Sequence, residues 1–135
     1  MIRVRVVIDG SGVLSSLTVG GHATLDRHAV SAECAAVSGI VRACAQAIDG
    51  RGDVVASGSA TGPGNLVVHI DTVAATATEW LRGVTDVIVT GVGRVVREAP
   101  HEVTMTVEYE GDQHGSYEGW RITQERTGFQ RATAR

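Results

Sequence analysis

Apolar side chains in this chain switch between two spacings, and the order of the switches is the strongest constraint on the fold. Ile2, Val4, Val6 and Ile8 alternate with Arg3, Arg5 and Val7, the period-two pattern of a strand with one buried face. Asp9-Gly10-Ser11-Gly12 supplies turn residues before Val13, Leu17 and Val19, so residues 2–19 read as a β-hairpin that ends at Gly20-Gly21. A polar loop from His22 to Val30 follows. Ser31 is then a good N-cap, and Val37, Ile40, Val41, Cys44 and Ile48 recur at helical steps until Asp49-Gly50, which predicts a helix over about 32–48.

The same sequence of patterns then repeats. Asp53–Ser57 and Leu66–Ile70 are short strand-like runs around the glycine-rich 58–64 segment, the pattern of a second hairpin. Asp71 or Thr72 can cap a long helix expected over about 73–97, where Val73, Ala77, Trp80, Leu81, Val84, Val87, Ile88, Gly91, Val92 and Val95 hold steps of three and four. Gly83, Gly91 and Gly93 weaken that helix, and the pattern is compatible with a break near Gly91. Beyond Pro100, Val103, Met105, Val107 and Tyr109 alternate as a last core strand, and 116–123 can add an edge strand. The order ββαββαβ specifies an α+β domain: a small β-sheet with two helices packed on one face. The chain reads as one domain over residues 1–110 followed by an extension over 111–135.

Composition narrows the chemistry. At 135 residues the chain has room for one core. All twelve basic residues are arginine, which excludes Schiff-base lysines and the phosphate-loop lysine. Two cysteines make no disulfide framework, no apolar run has the roughly 20 residues that span a bilayer, and the N-terminus alternates like a strand rather than a signal peptide. A reducing, cytoplasmic setting is therefore expected, with no membrane partner. The net charge is −3, and the basic residues that outnumber acids lie only beyond residue 118, scattered rather than clustered, so nucleic acid is not an expected partner. Gly10-Ser11-Gly12 precedes a strand and Gly91-Val92-Gly93 lies inside a helical period, so neither reads as a phosphate cradle.

Cys34 is the leading candidate for chemistry. With Ser31 at the N-cap it takes the third helical position, where unpaired amides and the helix dipole favour a thiolate. His22 follows directly on the strand end, and the intervening loop is long enough to fold the imidazole back onto the sulfur as a base. Taken alone, Cys34 also reads as a small buried residue and His22 as an exposed loop histidine. Cys44 lies on the apolar stripe and about 15 Å along the helix from Cys34, so it reads as core. A metal site built from His22, His28, Cys34 and Glu33 lacks a fixed ligand spacing, and neither a metal nor a cofactor is expected.

Gly21-His22-Ala23, a loop of about eleven residues, and Cys34-Ala35-Ala36-Val37-Ser38 opening a helix together resemble the bacterial ribosomal-processing cysteine protease family, Prp. The element order is similar to the family's small α+β fold as well, over residues 1 to about 109. The resemblance implies Cys34 as nucleophile and His22 as general base, with Ser38, Ser31 and Gly21 in supporting positions, no cofactor, and a homodimer. It also implies a substrate, the N-terminal extension of large-subunit ribosomal protein twenty-seven. Ser38 falls one turn beyond Cys34, where its hydroxyl can orient the site or bond a backbone carbonyl one turn back. The sequence departs from the family pattern at Ser31, where the family carries an aspartate, and at Ala32-Glu33 in place of an Ile-Val pair. A carboxylate that holds the histidine would then have to come from Glu33 or Asp26, and the charge on Glu33 opposes a thiolate beside it. Two rival functions stay open: a non-catalytic homologue that binds a ribosomal peptide and regulates assembly, and a hydrolase of thioesters or other acyl substrates.

Overall fold

The computed structural model describes residues 1–21, 31–61 and 64–111. Strands β1 (Ile2–Ile8) and β2 (Leu14–Gly20) lead into helix α1 (Ala32–Asp49). Strands β3 (Val54–Ser59) and β4 (Leu66–Val73) lead through a 3₁₀ turn at Ala75–Ala77 into helix α2 (Thr78–Glu98), and β5 (Val103–Tyr109) follows. The strands form one sheet in the order β3-β4-β2-β1-β5. Every pairing is antiparallel except β1 with β5, which run parallel because α2 carries the chain back across the sheet between β4 and β5.

Alternation decides which face is covered. Ile2, Val4, Val6, Val103, Met105 and Val107 are buried beneath the helices, while Arg3, Arg5, Thr104, Thr106 and Glu108 stand on the opposite, solvated face. Both helices therefore lie on one face, as the patterning requires. Leu14 and Leu17, three residues apart, both reach the core because the β1–β2 register slips between Val7 and Ile8, which absorbs one extra residue. Each helix contributes its apolar stripe, Val37, Val41, Cys44 and Ile48 from α1 and Leu81, Ile88, Val92 and Val95 from α2.

Two expectations about α2 need correction. It starts at Thr78 rather than near 73, because Val73 pairs with Val54 and Ala74 N–H bonds the Asp53 carbonyl, so Asp71 and Thr72 belong to β4 and neither caps the helix. The ladder bonds to β3 outweigh the helical pattern there. The helix also runs unbroken through Gly91. A Cβ at that position would stand 3.0 Å from Ile40 Cδ1, so the missing side chain lets α1 and α2 approach closely, and packing offsets the poor helical propensity of glycine.

One hydroxyl ties the helix layer to the sheet. Thr85 is 1% exposed, donates to the Leu81 carbonyl at 2.8 Å and accepts from Leu14 N–H at 2.9 Å. Thr85→Val preserves volume but leaves the Leu14 amide buried without a partner, so it should destabilise the fold by about 1–3 kcal/mol in urea titrations.

Candidate active site

The site is built at the end of the sheet where β1 begins and β2 finishes. Gly20 pairs with Arg3, so Gly21 lies beside the first residues of β1. Gly21 has φ of 90°, and a Cβ there would collide with the Met1 carbonyl. Only glycine accepts both conditions, and the chain leaves the sheet at this point, one residue before His22. His22, Asp26 and His28 fall in 22–30, outside the described residues. The chain is described again at Ser31, and α1 then runs back across the sheet toward the start of β3, which pairs with the far end of β4.

Ser31 does what its position predicts. It is extended at φ −66° and ψ 148°, it is 4% exposed, and its Oγ accepts a 3.0 Å hydrogen bond from the Cys34 amide. The Ala35 amide bonds the Ser31 carbonyl at 3.0 Å. The donors of the first turn are thus divided: those of Cys34 and Ala35 are taken, while those of Ala32 and Glu33 meet no acceptor among the described residues. Spacing alone identifies the cap, but it does not reveal that the cap consumes the amide of the candidate nucleophile itself.

Cys34 is partly exposed and packs against the core. Ser38, one turn on, is half-buried, and its hydroxyl has no hydrogen-bond partner among the described residues, so it is not spent on a carbonyl one turn back. Cys44 is 8% exposed, and burial pushes its thiol pKa up. No three His, Cys, Asp or Glu side chains converge on a metal-sized site among the described residues. One feature of this end has no sequence signal. Glu102, whose carbonyl accepts from Ile2 N–H at 2.7 Å, holds a buried Oε2 without a partner among the described residues.

A small two-layer α+β domain with a partly exposed cysteine in the capped first turn of a helix belongs to the class of folds that can carry a thiol hydrolase. A family model described as cysteine protease Prp matches residues 1–104, and this chain belongs to that family. The ribosomal processing protease Prp from Staphylococcus aureus, solved with a covalently linked product peptide, aligns with a TM-score of 0.68 at 15% identity, covering 80% of this chain and all of its own. The same protease with a substrate peptide aligns at 0.64 and 14% identity, with the same coverage. SMU.848 from Streptococcus mutans aligns at 0.65 and 20% identity, over 82% of this chain and 96% of that one. At these identities the structures share the fold. A search of curated proteins returned no match.

The two cysteines differ in access, and the expected consequence is chemical. A limiting alkylating reagent at neutral pH should label Cys34 well before Cys44, as read by peptide mapping. Equal labelling of the folded protein, or Cys44 first, would contradict the site.

Proposed function

We propose that this protein is a cysteine endopeptidase that acts in the cytoplasm and removes the N-terminal extension of bacterial large-subunit ribosomal protein twenty-seven. The observation that carries the reading is a partly exposed Cys34 in the capped first turn of α1, in a chain of the Prp family. The Staphylococcus aureus relative, solved with substrate and product peptides, supports a peptide as the ligand class.

In this mechanism His22 takes the Cys34 thiol proton as the sulfur attacks the scissile carbonyl carbon. The two first-turn amides that meet no acceptor among the described residues, those of Ala32 and Glu33, receive the negative charge that develops on the carbonyl oxygen. The carbon–nitrogen bond breaks as His22 protonates the departing amine, and a thioester to Cys34 is left. His22 then takes a proton from water, the hydroxide cleaves the thioester, and a carboxylate leaves with the thiol restored. Gly21 sets the point at which the histidine leaves the sheet, Ser31 holds the helix start, and the unspent Ser38 hydroxyl is available one turn behind the sulfur.

A second reading, a peptide-binding homologue without activity, is favoured by Ser31 itself. Its hydroxyl is committed to the Cys34 amide, and no carboxylate occupies the position where the family carries one. The two readings part in one assay, which incubates a synthetic peptide of the host ribosomal protein's N-terminus with enzyme in reducing buffer and reads products by mass spectrometry. The protease makes a single internal cut that His22→Ala and Cys34→Ser both abolish while circular dichroism and melting stay nearly unchanged. Tight binding without a cut would establish the second reading, and a gain of cleavage in Ser31→Asp would trace the loss to the missing carboxylate.

A homodimer completes the proposal. Between the helices lies an open trough of about 520 Å³ lined mainly by apolar residues, among them Ala43, Cys44, Trp80, Val84 and Val87, with Glu79 at its border. Val87 is 57% exposed, and such an apolar surface suits a second copy of the chain. Light scattering at micromolar concentration should report twice 14.1 kDa, and a monomer mass would refute the dimer.

A further inference from the structure

Beyond the core fold, one edge of the sheet and one flank of α2 share an unmet requirement. Strand β5 pairs with β1 on one side, and its other edge carries no strand among the described residues. A bare strand edge is a template for another strand, and natural folds pair it or cover it. Above that edge lies a particular stripe of α2. Gly91 faces Ile40 of α1, and two residues further along a helix is a rotation of roughly 200°, so Gly93 looks the other way. Val89, Gly93 and Val96, at steps of four and three, form an apolar stripe on that flank, in which Gly93 is buried and both valines are partly buried. Asp86, next on the same side, lies near β5: the Tyr109 hydroxyl is held above its ordinary pKa by partial burial and then by the charge of Asp86.

We propose that residues 116–123 of this chain lie antiparallel along the free edge of β5 as a sixth strand, with Trp120 and Ile122 seated beneath the Val89–Gly93–Val96 flank of α2. Three observations select this occupant. The chain turns at the right place, because Gly111 takes φ of 92° directly after the last sheet hydrogen bond, from Glu110 N–H to the Ile8 carbonyl at 2.8 Å. The link is the right length, since a hairpin over 110–115 sets residue 116 opposite Tyr109. That register brings Trp120 opposite Met105 and Ile122 opposite Val103, both of which face the helices. The remaining observation is the flank itself, a narrow apolar strip with a glycine at its centre, which suits a flat indole. This strand would lie outside the part of the chain that matches the family, which ends at residue 104, and it does not depend on the protease reading. With β5 covered, β3 is the edge left for an extended peptide to join.

Limited trypsin digestion and hydrogen exchange on the full chain test the proposal. Arg121 lies inside the new strand and Arg131 beyond it, so cleavage after Arg121 should be at least tenfold slower than after Arg131. Trp120→Ser should bring the two rates together and speed exchange of the Val103–Tyr109 amides about tenfold. Gly93→Leu, which fills the strip, should also speed cleavage at Arg121 and lower Tm, whereas above an empty flank the loss of a helical glycine would raise Tm. Equal cleavage at the two arginines in the unmodified chain overturns the proposal. It is equally overturned if β5 protection ignores Trp120→Ser and instead falls on dilution, the behaviour of an edge covered by a second copy.

Discussion

Strand β1 is the element on which the rest of this molecule depends. It lies inside the sheet with β2 on one edge and β5 on the other, and the side chains it sends beneath the helices are essentially removed from water, with Val6 at 0% exposure. At roughly 25 cal/mol per Å² of apolar surface, each such side chain contributes on the order of 1.5–3 kcal/mol. Its first two residues also organise the end of the domain. The Met1 carbonyl restricts the position before His22 to glycine, and the Ile2 amide anchors the turn that delivers β5. Core and candidate site therefore share one strand.

The chemistry of the site follows from how a helix begins. Four amides at a helix start lack partners within the helix, and the fold distributes them. Ser31 takes the Cys34 amide, while the amides of Ala32 and Glu33 meet no acceptor among the described residues. A serine performs this capping as well as an aspartate would. What a serine does not supply is a negative charge at the helix start.

The open face of the sheet is a different surface. It is polar, with Arg5 paired bidentately to Glu108 across β1 and β5 at 3.0 and 2.6 Å, an exposed pair that contributes little to stability. On the helix layer, Val87 stands exposed beside the trough between α1 and α2. Helix layer and sheet thus present different surfaces: an apolar trough between α1 and α2 on one, charged and hydroxyl-bearing side chains on the other.

Much of this was legible in the amino-acid order, because local patterns and local chemistry set it. Period-two alternation located β1 and β5, Ser31 with its helical period located α1, and the stripe through Val37, Val41 and Ile48 marked Cys44 as core. What stayed hidden was decided between segments distant in the chain. Val73 satisfies both a helical and a strand pattern, and only the pairing with Val54 assigns it to β4. Gly91 reads as a helix breaker until Ile40 of α1 fills the space above it. The register slip that turns both Leu14 and Leu17 inward, the collision that requires glycine at 21 and the lone buried oxygen of Glu102 belong to the same group. Periodicity reports which side of an element is apolar, whereas the identity of the neighbour that meets that side is a property of the assembled sheet and helices, where contacts between remote residues outweigh the fraction of a kcal/mol that separates one local preference from another.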